Sequence, residues 1–428
     1  MFVGVMVLLV LRVPVAVAML IAGGAGYAAI TGWWPLLNTL KSMTYSKFAS
    51  YTLSIIPLFV LMGEFATRGG LNTSLYNAAR SWLGHHRGGL AMATIGGCAA
   101  FGALCGSSLA TAATMSQVAG PQMRQRGYSG ALSTGTLAAG GTLGILIPPS
   151  VILVIYAIYT EQSIGALFVA AIVPALLAVI GYMAVVAIYA RLFPSEAAAA
   201  ERMGFAERLA LTRKVAPAAL VFVIVVGGIY GGWFSPTAAA AVGAVTVGIL
   251  AVVNGMRWEG FKQAILGTAS TTALVFLILL GAELFGVALA LSRMPAELSA
   301  QVAALDLPPL AVIAVILLIY LVLGCVLESL AMVLLTLPVF IPVVLGLDLG
   351  LSPAQTMIWF GILVLIAVEV GMISPPFGLN LFVINAMAKD VPMGQTYKGV
   401  IGFCLSDVVR LVLIVLFPGI ALWLTGVG

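Results

Sequence analysis

The sequence predicts an all-α polytopic membrane protein with two inverted repeats, each holding a re-entrant helical hairpin and a broken helix. Hydrophobic residues make up 62% of the 428 residues and charged residues 8%, whereas about a quarter of a typical soluble domain is charged. Apolar stretches long enough to cross a bilayer recur along the whole chain. Two of them contain a proline pair, Pro148-Pro149 and Pro375-Pro376. Each pair should break its helix, because proline lacks an amide donor and clashes with the preceding turn.

The N-terminal part of the chain is predicted to provide scaffold helices over 1–87 and the first repeat over 88–160. Two apolar runs, 88–105 and 107–121, are predicted to form a re-entrant hairpin rather than two spans. Its polar tip is the segment Gly106-Ser-Ser-Leu-Ala-Thr111. The first broken helix follows this hairpin and completes the repeat.

The middle of the chain, 161–291, is predicted to add further scaffold helices. It includes the longest polar stretch, 195–214, which mixes acidic and basic residues with several alanines. This composition suits an arm that lies along the membrane interface as a helix. A plain connecting loop is the alternative interpretation of the same stretch.

The second repeat is predicted over 309–388 and has the same order of elements as the first. Its hairpin pairs 309–326 with 329–345 and turns at Leu327-Glu-Ser-Leu-Ala331. The second broken helix comes next, and a C-terminal helix is predicted over 389–428. Interrupted helices in corresponding halves of a membrane protein mark the binding site of a secondary transporter.

Two signals support an inverted repeat. Aligning the proline pairs matches Leu143-Gly-Ile-Leu-Ile-Pro-Pro149 with Val370-Gly-Met-Ile-Ser-Pro-Pro376, although two apolar segments can resemble each other by chance. Basic residues flank the first hairpin, whereas mainly acidic residues flank the second. Because basic loops prefer the cytoplasm, the two hairpins should enter the membrane from opposite sides. The basic residues beside the first hairpin are Arg68, Arg80, Arg87, Arg124 and Arg126.

Hydroxyl groups are concentrated at the first tip, where Ser107, Ser108, Thr111 and Thr114 occur together. Hydroxyl and carbonyl oxygens are the ligands that a small, hard cation such as sodium requires. A helix that begins at the tip also directs free amides at an arriving anion. Small residues that allow close helix packing are the structural alternative for this run.

Carboxylates within a membrane are costly and usually functional. Glu328 at the second tip and Glu369 before the second break are the two strongest candidates. For Glu64 and Glu283 a structural role is at least as well supported. Asn380 and Asn385 could bind substrate or cap freed carbonyls, and capping suits Asn385 better. The only basic residues predicted within spans are Arg12 and Arg410.

An enzyme is a poor interpretation of this sequence. Gly127-Tyr-Ser-Gly130 matches the GxSG string of intramembrane serine proteases, but the only histidines, His85 and His86, lie in an upstream polar loop. The sequence contains neither HExxH nor a phosphate-binding Walker A loop. Ion coupling therefore remains as the driving force, with a passive channel as the lesser option. The net charge of +5 is explained by cytoplasmic loops, and no nucleic-acid partner is expected.

Several motifs together resemble the large membrane subunit of tripartite ATP-independent periplasmic (TRAP) transporters. The resemblance covers essentially the whole chain from Leu11-Arg-Val-Pro14 onward. One departure is Ala238, where the family usually has glutamate, so that carboxylate is absent here. The matching motifs are Gly106-Ser-Ser-Leu-Ala-Thr-Ala-Ala-Thr114, Pro121-Gln-Met123, Arg126-Gly-Tyr128, Leu143-Gly-Ile-Leu-Ile-Pro-Pro-Ser150, Phe234-Ser-Pro-Thr-Ala-Ala-Ala240 and Glu369-Val-Gly-Met-Ile-Ser-Pro-Pro-Phe-Gly-Leu-Asn-Leu-Phe-Val383.

The resemblance implies an elevator-type transporter of the ion transporter superfamily kind, in a bacterial inner membrane. Such a subunit couples sodium to the uptake of a small organic acid, such as a C4-dicarboxylate or a sugar acid, and needs no organic cofactor. A periplasmic binding protein delivers the acid, and a small four-helix membrane subunit completes the complex. No four-helix segment precedes Val13-Pro14, so that subunit is expected to be a separate chain.

Two sodium sites and a substrate site between them follow as a hypothesis. Helix-end amides and hydroxyls, rather than a buried arginine, are expected to receive the substrate carboxylate. A sodium/dicarboxylate symporter that works without a binding protein is the main alternative, and an intramembrane protease is the weaker one. The predicted residues are Ser107, Ser108, Gly144 and Pro148 for the first sodium, Glu328, Ser329, Gly371 and Ser374 for the second, and Thr111, Ser150 and Asn380 for the substrate.

Overall fold

The computed structural model describes residues 1–426 and confirms a helical, multi-pass membrane protein. Within these residues there is no β-strand. Seven of the described helices are long and apolar enough to cross a membrane, or eight if one bent helix pair is counted as a single span. Several further apolar helices are shorter than a span. This mixture of full and partial spans is what re-entrant hairpins require.

The N-terminal region consists of helices that are interrupted more often than the sequence indicated. The first apolar run divides at a turn that contains Arg12, which is exposed and has φ +63°. Arg12 therefore lies between helices, and its expected position within a span is wrong. A single 3₁₀ turn, Tyr51–Ser54, precedes α4. The helices are α1 (Phe2–Val10), α2 (Val15–Thr31), α3 (Trp33–Phe48), α4 (Ile55–Arg68) and α5 (Leu71–Leu83).

The first repeat has the predicted hairpin and break. Its helices are α6 (Gly89–Cys105), α7 (Ser108–Gln125), α8 (Gly130–Leu146) and α9 (Val151–Thr160). The hairpin turns at Gly106, within the predicted tip, and the helix is interrupted between α8 and α9 at the proline pair. Pro148 and Pro149 are joined by a cis peptide bond.

The middle region corrects the predicted arm at 195–214. A 3₁₀ turn, Pro194–Glu196, is followed by irregular backbone, and a long helix begins at Phe205 and continues into the apolar run. The polar stretch is therefore half connector and half helix start, not a separate helix. The helices are α10 (Ile164–Leu192), α11 (Phe205–Phe222), α12 (Gly228–Tyr230), α13 (Pro236–Val253), α14 (Trp258–Leu291) and α15 (Met294–Ala304), with a π-helical segment, Val223–Gly227, between α11 and α12.

The second repeat reproduces the architecture of the first. Its tip separates α16 from α17, and its break separates α18 from α19 at a second cis proline pair. Every residue of α18 from Thr356 to Ile373 is buried, which makes this helix the centre of the protein. The helices are α16 (Pro309–Gly324), α17 (Ser329–Leu345), α18 (Pro353–Ile373), α19 (Leu379–Met387), α20 (Met393–Leu416) and α21 (Gly419–Leu422).

The two broken helices run in opposite directions. Tyr156, near the end of α9, donates a hydrogen bond to the carbonyl oxygen of Met357, near the start of α18, at 2.7 Å. At the opposite face, Arg124 at the end of α7 lies 2.7 Å from Asp390, which follows α19. The end of each broken helix therefore lies beside the start of the other. This antiparallel arrangement is what an inverted repeat requires, and the membrane side of each hairpin stays a prediction.

Glycines bring each hairpin into backbone contact with its broken helix. A Cβ added at Gly102 of α6 would lie 2.7 Å from the Cα of Gly144 in α8. In the second repeat, a Cβ at Gly371 of α18 would lie 2.7 Å from the Cα of Gly324 in α16. Any side chain at these positions would push the helices apart. Both hairpins are therefore held against their broken helices by the same kind of glycine contact.

Two helices outside the predicted repeats also pack against them. The long helix α10 contacts α6, α8 and α18, while α20 contacts α8, α18 and α10. By contrast, α2 packs mainly on α14, and α4 packs mainly on α13 and α14. The structure thus has one group of helices around the breaks and another group around α14. The domain boundaries themselves stay a prediction.

Candidate functional site

Both hairpin tips line one cavity of about 180 Å³. Ser107 and Ser108 approach it from the first repeat, and Glu328 and Ser329 approach it from the second. The sequence predicted these four residues for two separate sodium sites, and the structure brings them together. Because α7 and α17 both begin here, the N-termini of two helices lie next to the cavity.

The first tip is joined to the second repeat by a hydrogen bond. Ser107 caps α7, and its hydroxyl accepts from the Ala110 amide at 3.4 Å. The Asn380 side chain donates to the Ser108 hydroxyl at 2.7 Å and to the Ala138 carbonyl oxygen at 3.1 Å. Asn380 is fully buried, and its amide hydrogens are occupied by these protein partners. This geometry favours the capping role for Asn380 over direct contact with substrate.

Two buried oxygens beside the first tip have no protein partner. They are Thr111 Oγ1 and the Asn380 side-chain oxygen. Both residues lie against the last turns of α8, since Thr111 Oγ1 lies 2.5 Å from the Cβ position of Gly144 and the Asn380 amide 3.1 Å from that of Gly141. Buried polar atoms are normally paired. Oxygens of this kind suit a small cation that binds through hydroxyl and carbonyl ligands.

The first break lies behind the tip. Pro148 lies in the turn between α8 and α9 and does not line the cavity. Ser150 is fully buried and caps α9, where its hydroxyl accepts from the Leu153 amide at 3.4 Å. Gly144 contributes backbone only, and a Cβ there would lie 2.6 Å from the Ser107 carbonyl oxygen. These residues shape the tip, while its hydroxyls line the cavity.

The second tip carries a carboxyl group of its own. Glu328 caps α17, and one of its carboxylate oxygens accepts from the Ala331 amide at 3.1 Å. The Ser329 hydroxyl contacts Met372 Sδ at 2.9 Å. Ser374 lies apart from the cavity, because its hydroxyl donates to the Val370 carbonyl oxygen at 2.7 Å and lies 4.0 Å from Cys404 Sγ. The structure therefore gathers two of the four residues predicted for the second sodium at the cavity.

Scaffold helices supply cavity residues that the sequence did not single out as site residues. Glu64 and Thr67 of α4 and Thr271 of α14 line the same cavity as the tips. Glu64 lies 3.7 Å from Arg68 one turn later. The only sequence signal was the presence of a carboxylate within an apolar run. Its distance from the repeats along the chain hid its proximity to the tips.

The remaining intramembrane charges form pairs. Glu369 accepts a hydrogen bond from Arg410 at 2.8 Å, and both residues are buried. Glu283 lies 3.1 Å from Lys47, and both side chains are partly exposed. Glu369 therefore has a fixed partner and does not line the cavity between the tips. The sequence pointed to both Glu369 and Arg410 but did not show that they meet.

The GxSG string has a structural role. Ser129 caps α8, where its hydroxyl accepts from the Leu132 amide at 3.2 Å, and it also lies 3.3 Å from the Tyr189 hydroxyl. His85 and His86 lie against each other in the loop before α6, with ring centroids 3.9 Å apart and the rings tilted by 40°. Among residues 1–426, no group of three or more histidine, cysteine or acidic side chains could hold a metal ion.

Opposed hairpins, broken helices and a shared cavity at their tips define a polytopic transporter with inverted repeats. The family model described as "Tripartite ATP-independent periplasmic transporter, DctM component" matches residues 2–420. The chain therefore belongs to the family of TRAP transporter large permease subunits.

Curated relatives agree with this assignment. The chain is 37% identical over 390 residues to the C4-dicarboxylate TRAP transporter large permease protein DctM of Pseudomonas aeruginosa, covering 90% of this chain and 89% of the relative. It is 32% identical to the sialic acid TRAP transporter large permease protein SiaM of Vibrio cholerae, covering 91% of this chain and 89% of the relative. Both relatives are permease subunits by name.

A solved structure supports the fold. The YdaH transporter of Alcanivorax borkumensis superposes with a TM-score of 0.66 at 17% identity, covering 96% of this chain and 98% of that chain. At this identity the likeness concerns architecture alone. The relatives and the superposition together confirm the fold class that the proline breaks and hairpins predicted.

Proposed function

We propose that this protein is the permease subunit of a sodium-coupled, binding-protein-dependent importer of a small organic acid. The observation that carries the proposal is the meeting of two opposed tips, Ser107–Ser108 and Glu328–Ser329, at one cavity. The names of the relatives, which concern C4-dicarboxylate and sialic acid, support an acidic substrate. Membership in a periplasmic transporter family supports placement in a bacterial inner membrane.

Sodium fits the chemistry of the tips. The unpartnered buried oxygens of Thr111 and Asn380 supply neutral ligands beside the first tip. At the second tip, Glu328 supplies carboxyl oxygens next to Ser329. A cation at each tip would bring backbone and side-chain oxygens together and hold the hairpins against their broken helices. In this scheme sodium prepares the site before the acid binds.

The substrate carboxylate is proposed to bind at the N-terminus of α7. No acidic residue lies in the first turn of α7, whereas the N-terminus of α17 is already capped by the Glu328 carboxylate. The α7 N-terminus is capped by the uncharged Ser107 hydroxyl. An anion therefore finds a helix dipole that no carboxylate already offsets only at the first tip. The cavity of about 180 Å³ is smaller than the roughly 300–1,000 Å³ of pockets for drug-sized ligands. An acid of a few carbons fits this volume better than a sugar acid.

Transport is proposed to follow an elevator mechanism. The cavity is bounded by tips on one side and by α4 and α14 on the other. Sliding of the helices around the breaks along these scaffold helices would carry the site across the membrane. A periplasmic binding protein would deliver the acid, and a small four-helix membrane subunit, as a separate chain, would complete the complex. The word "tripartite" in the family description supports both partners.

The test is uptake of a labelled C4-dicarboxylate into proteoliposomes that contain both membrane subunits, with the binding protein outside. Replacing two tip hydroxyls by Ser107→Ala with Ser108→Ala should raise the half-saturating sodium concentration at least about tenfold, equivalent to about 1.4 kcal/mol. Ser116→Ala with Ser133→Ala is the matched control. These serines lie on α7 and α8 and do not line the tip cavity.

Three outcomes decide between the interpretations. Unchanged sodium dependence in the tip variant would remove both hydroxyls from the ion site. Uptake that persists without the binding protein would favour a sodium/dicarboxylate symporter that works without a binding protein. Uptake that ignores the sodium gradient in the unmodified protein would overturn sodium coupling.

A further inference from the structure

Two buried residues occupy equivalent positions in the inverted repeats. Thr142 lies six residues before Pro148, and Glu369 lies six residues before Pro375. Each precedes by two residues the glycine, Gly144 or Gly371, whose backbone contacts its own hairpin. At about 1.5 Å of rise per residue, each lies only about 3 Å along the helix from a tip contact. Both side chains are fully buried.

A chain of polar contacts connects these two positions through the helices that follow each break. Thr142 Oγ1 lies 3.1 Å from the hydroxyl of Tyr182 in α10, which donates to Asp407 in α20 at 2.5 Å. Arg410 Nη2 then lies 2.9 Å from Asp407 Oδ1 and 2.8 Å from Glu369 Oε2. The chain thus links the last turns of α8 and α18 through five side chains.

The first link of this chain has two settings. The Tyr182 hydroxyl has one hydrogen and donates it to Asp407, so Thr142 must be the donor in its contact with Tyr182. The Thr142 hydroxyl has a second acceptor, the Ala139 carbonyl oxygen of the preceding turn, at 2.8 Å. Its single hydrogen can therefore bond either to the Tyr182 hydroxyl or to the Ala139 carbonyl oxygen. A choice between two acceptors is the kind of two-state element that coupling between sites requires.

The chain is also held firmly at its charged end. Arg410 is enclosed by two carboxylates and reaches the Pro174 carbonyl oxygen of α10 at 3.4 Å. Arg410, Asp407 and Glu369 are all buried. Buried charges are costly unless they are paired, so the displacement of one of these groups is opposed by its attraction to the others. Through these contacts, movement of α18 at Glu369 would act on α20 and from there on Tyr182.

We propose that Thr142, Tyr182, Asp407, Arg410 and Glu369 form a relay that couples the two hairpin tips, so that sodium at one tip strengthens sodium binding at the other. The members are positioning residues, because none of them lines the tip cavity. The inference rests on the proposed sodium coupling and adds cooperativity between its two sites. Coupling of this kind is reciprocal, so occupancy of either tip favours occupancy of the other.

Tyr182→Phe tests the relay. It removes the hydroxyl that joins Thr142 to Asp407 and keeps the ring, which packs edge-on against Phe403 with centroids 5.3 Å apart. We expect the Hill coefficient for sodium to fall toward unity and the half-saturating sodium concentration to rise about fivefold, as for loss of one hydrogen bond. Maximal uptake at saturating sodium should not change.

Tyr156→Phe is the matched control. It also removes one buried tyrosine hydroxyl that bonds between the repeats, at 2.7 Å from the Met357 carbonyl oxygen, but it lies outside the relay. Both variants should lower the thermal unfolding temperature by similar amounts. Only the relay variant should change the Hill coefficient, which separates coupling from a general loss of stability. Direct sodium titration of the purified chain, followed by thermal protection, provides a readout that needs no partner.

The outcomes separate the relay from the function on which it rests. A wild-type protein without sodium-dependent uptake would end the proposed function itself. Sodium-dependent uptake with a wild-type Hill coefficient of unity, or equal Hill coefficients in the two tyrosine variants, would overturn only the relay. If Tyr182→Phe fails to fold, Thr142→Val removes the other end of the same contact and must show the same fall.

Discussion

Arg410 is a guanidinium group held between two carboxylates at the centre of the helical bundle. It contacts Glu369 at 2.8 Å and Asp407 at 2.9 Å, with almost no exposed side-chain surface. Removing one partner of a buried charge pair is far more costly than removing a surface charge, because the remaining charge keeps its desolvation cost without compensation. At the scale of single residues, this group should therefore dominate stability.

We expect Arg410→Met to lower the free energy of unfolding by about 3–5 kcal/mol, because two carboxylates lose their counterion. The measurement is denaturant unfolding of the purified protein in detergent, followed by intrinsic fluorescence. Arg12→Met is the control, since Arg12 is exposed in the turn after α1. Equal unfolding curves for the two variants would show that Arg410 does not compensate the carboxylates.

Candidate site residues could be identified from their residue type, but the residues that they contact could not. Glu369 and Glu328 were identified because carboxylates are rare in apolar runs, and the tip hydroxyls were identified because they cluster in sequence. The bond between Asn380 and Ser108 spans 272 residues, so no local pattern could reveal it. The same holds for Glu64, whose approach to the tips depends on how α4 packs.

At the scale of secondary-structure elements, close backbone contact holds each hairpin against its broken helix. Gly102 of α6 faces Gly144 of α8, and Gly324 of α16 faces Gly371 of α18. A backbone atom cannot rotate away as a flexible side chain can. The contact therefore tolerates no additional methyl group.

We expect Gly102→Ala to reduce uptake at least about tenfold and to destabilise the protein by about 1–3 kcal/mol, because its Cβ would lie 2.7 Å from the Cα of Gly144. Gly96→Ala is a control on the same helix. Its Cβ would meet Ala79 and Met183 at 3.7 Å, an ordinary contact distance. Uptake and thermal unfolding of both variants are the measurements. Wild-type behaviour of Gly102→Ala would mean that the hairpin is not seated by this contact.

The positions of secondary-structure elements could be predicted where local steric effects determine them. The breaks at Pro148 and Pro375 follow from proline itself, and the hairpins follow from run length. The arm at 195–214 was not predictable, because the start of α11 at Phe205 joins polar residues to an apolar helix. Trp82 also donates to Thr212 at 2.9 Å, so tertiary contacts help to hold the polar end of α11.

The whole molecule is organised by the opposite direction of its repeats. The start of α18 lies beside the end of α9, and the end of α19 lies beside the end of α7. We therefore expect the base of the first hairpin and the base of the second to lie at opposite membrane faces. The flanking charges predict the same orientation, because five basic residues flank the first hairpin and only Arg293 flanks the second.

We expect single cysteines at Gln125 and Asp348 to be labelled from opposite sides of the membrane. Both positions are exposed at hairpin bases, and the four native cysteines would be replaced first. A membrane-impermeant maleimide applied to intact spheroplasts should modify Asp348→Cys, whereas Gln125→Cys should react only after the membrane is opened. Labelling of both positions from one side would contradict the inverted arrangement.

The bond from Asn380 to Ser108 has a consequence for biogenesis. At a synthesis rate of roughly 5–20 residues per second, the 272 residues between them take about 14 to 54 seconds to emerge from the ribosome. During that interval the first hairpin is inserted without the amide that later holds its tip. The nascent protein must therefore keep an unfinished polar loop protected from lipid until its second half arrives.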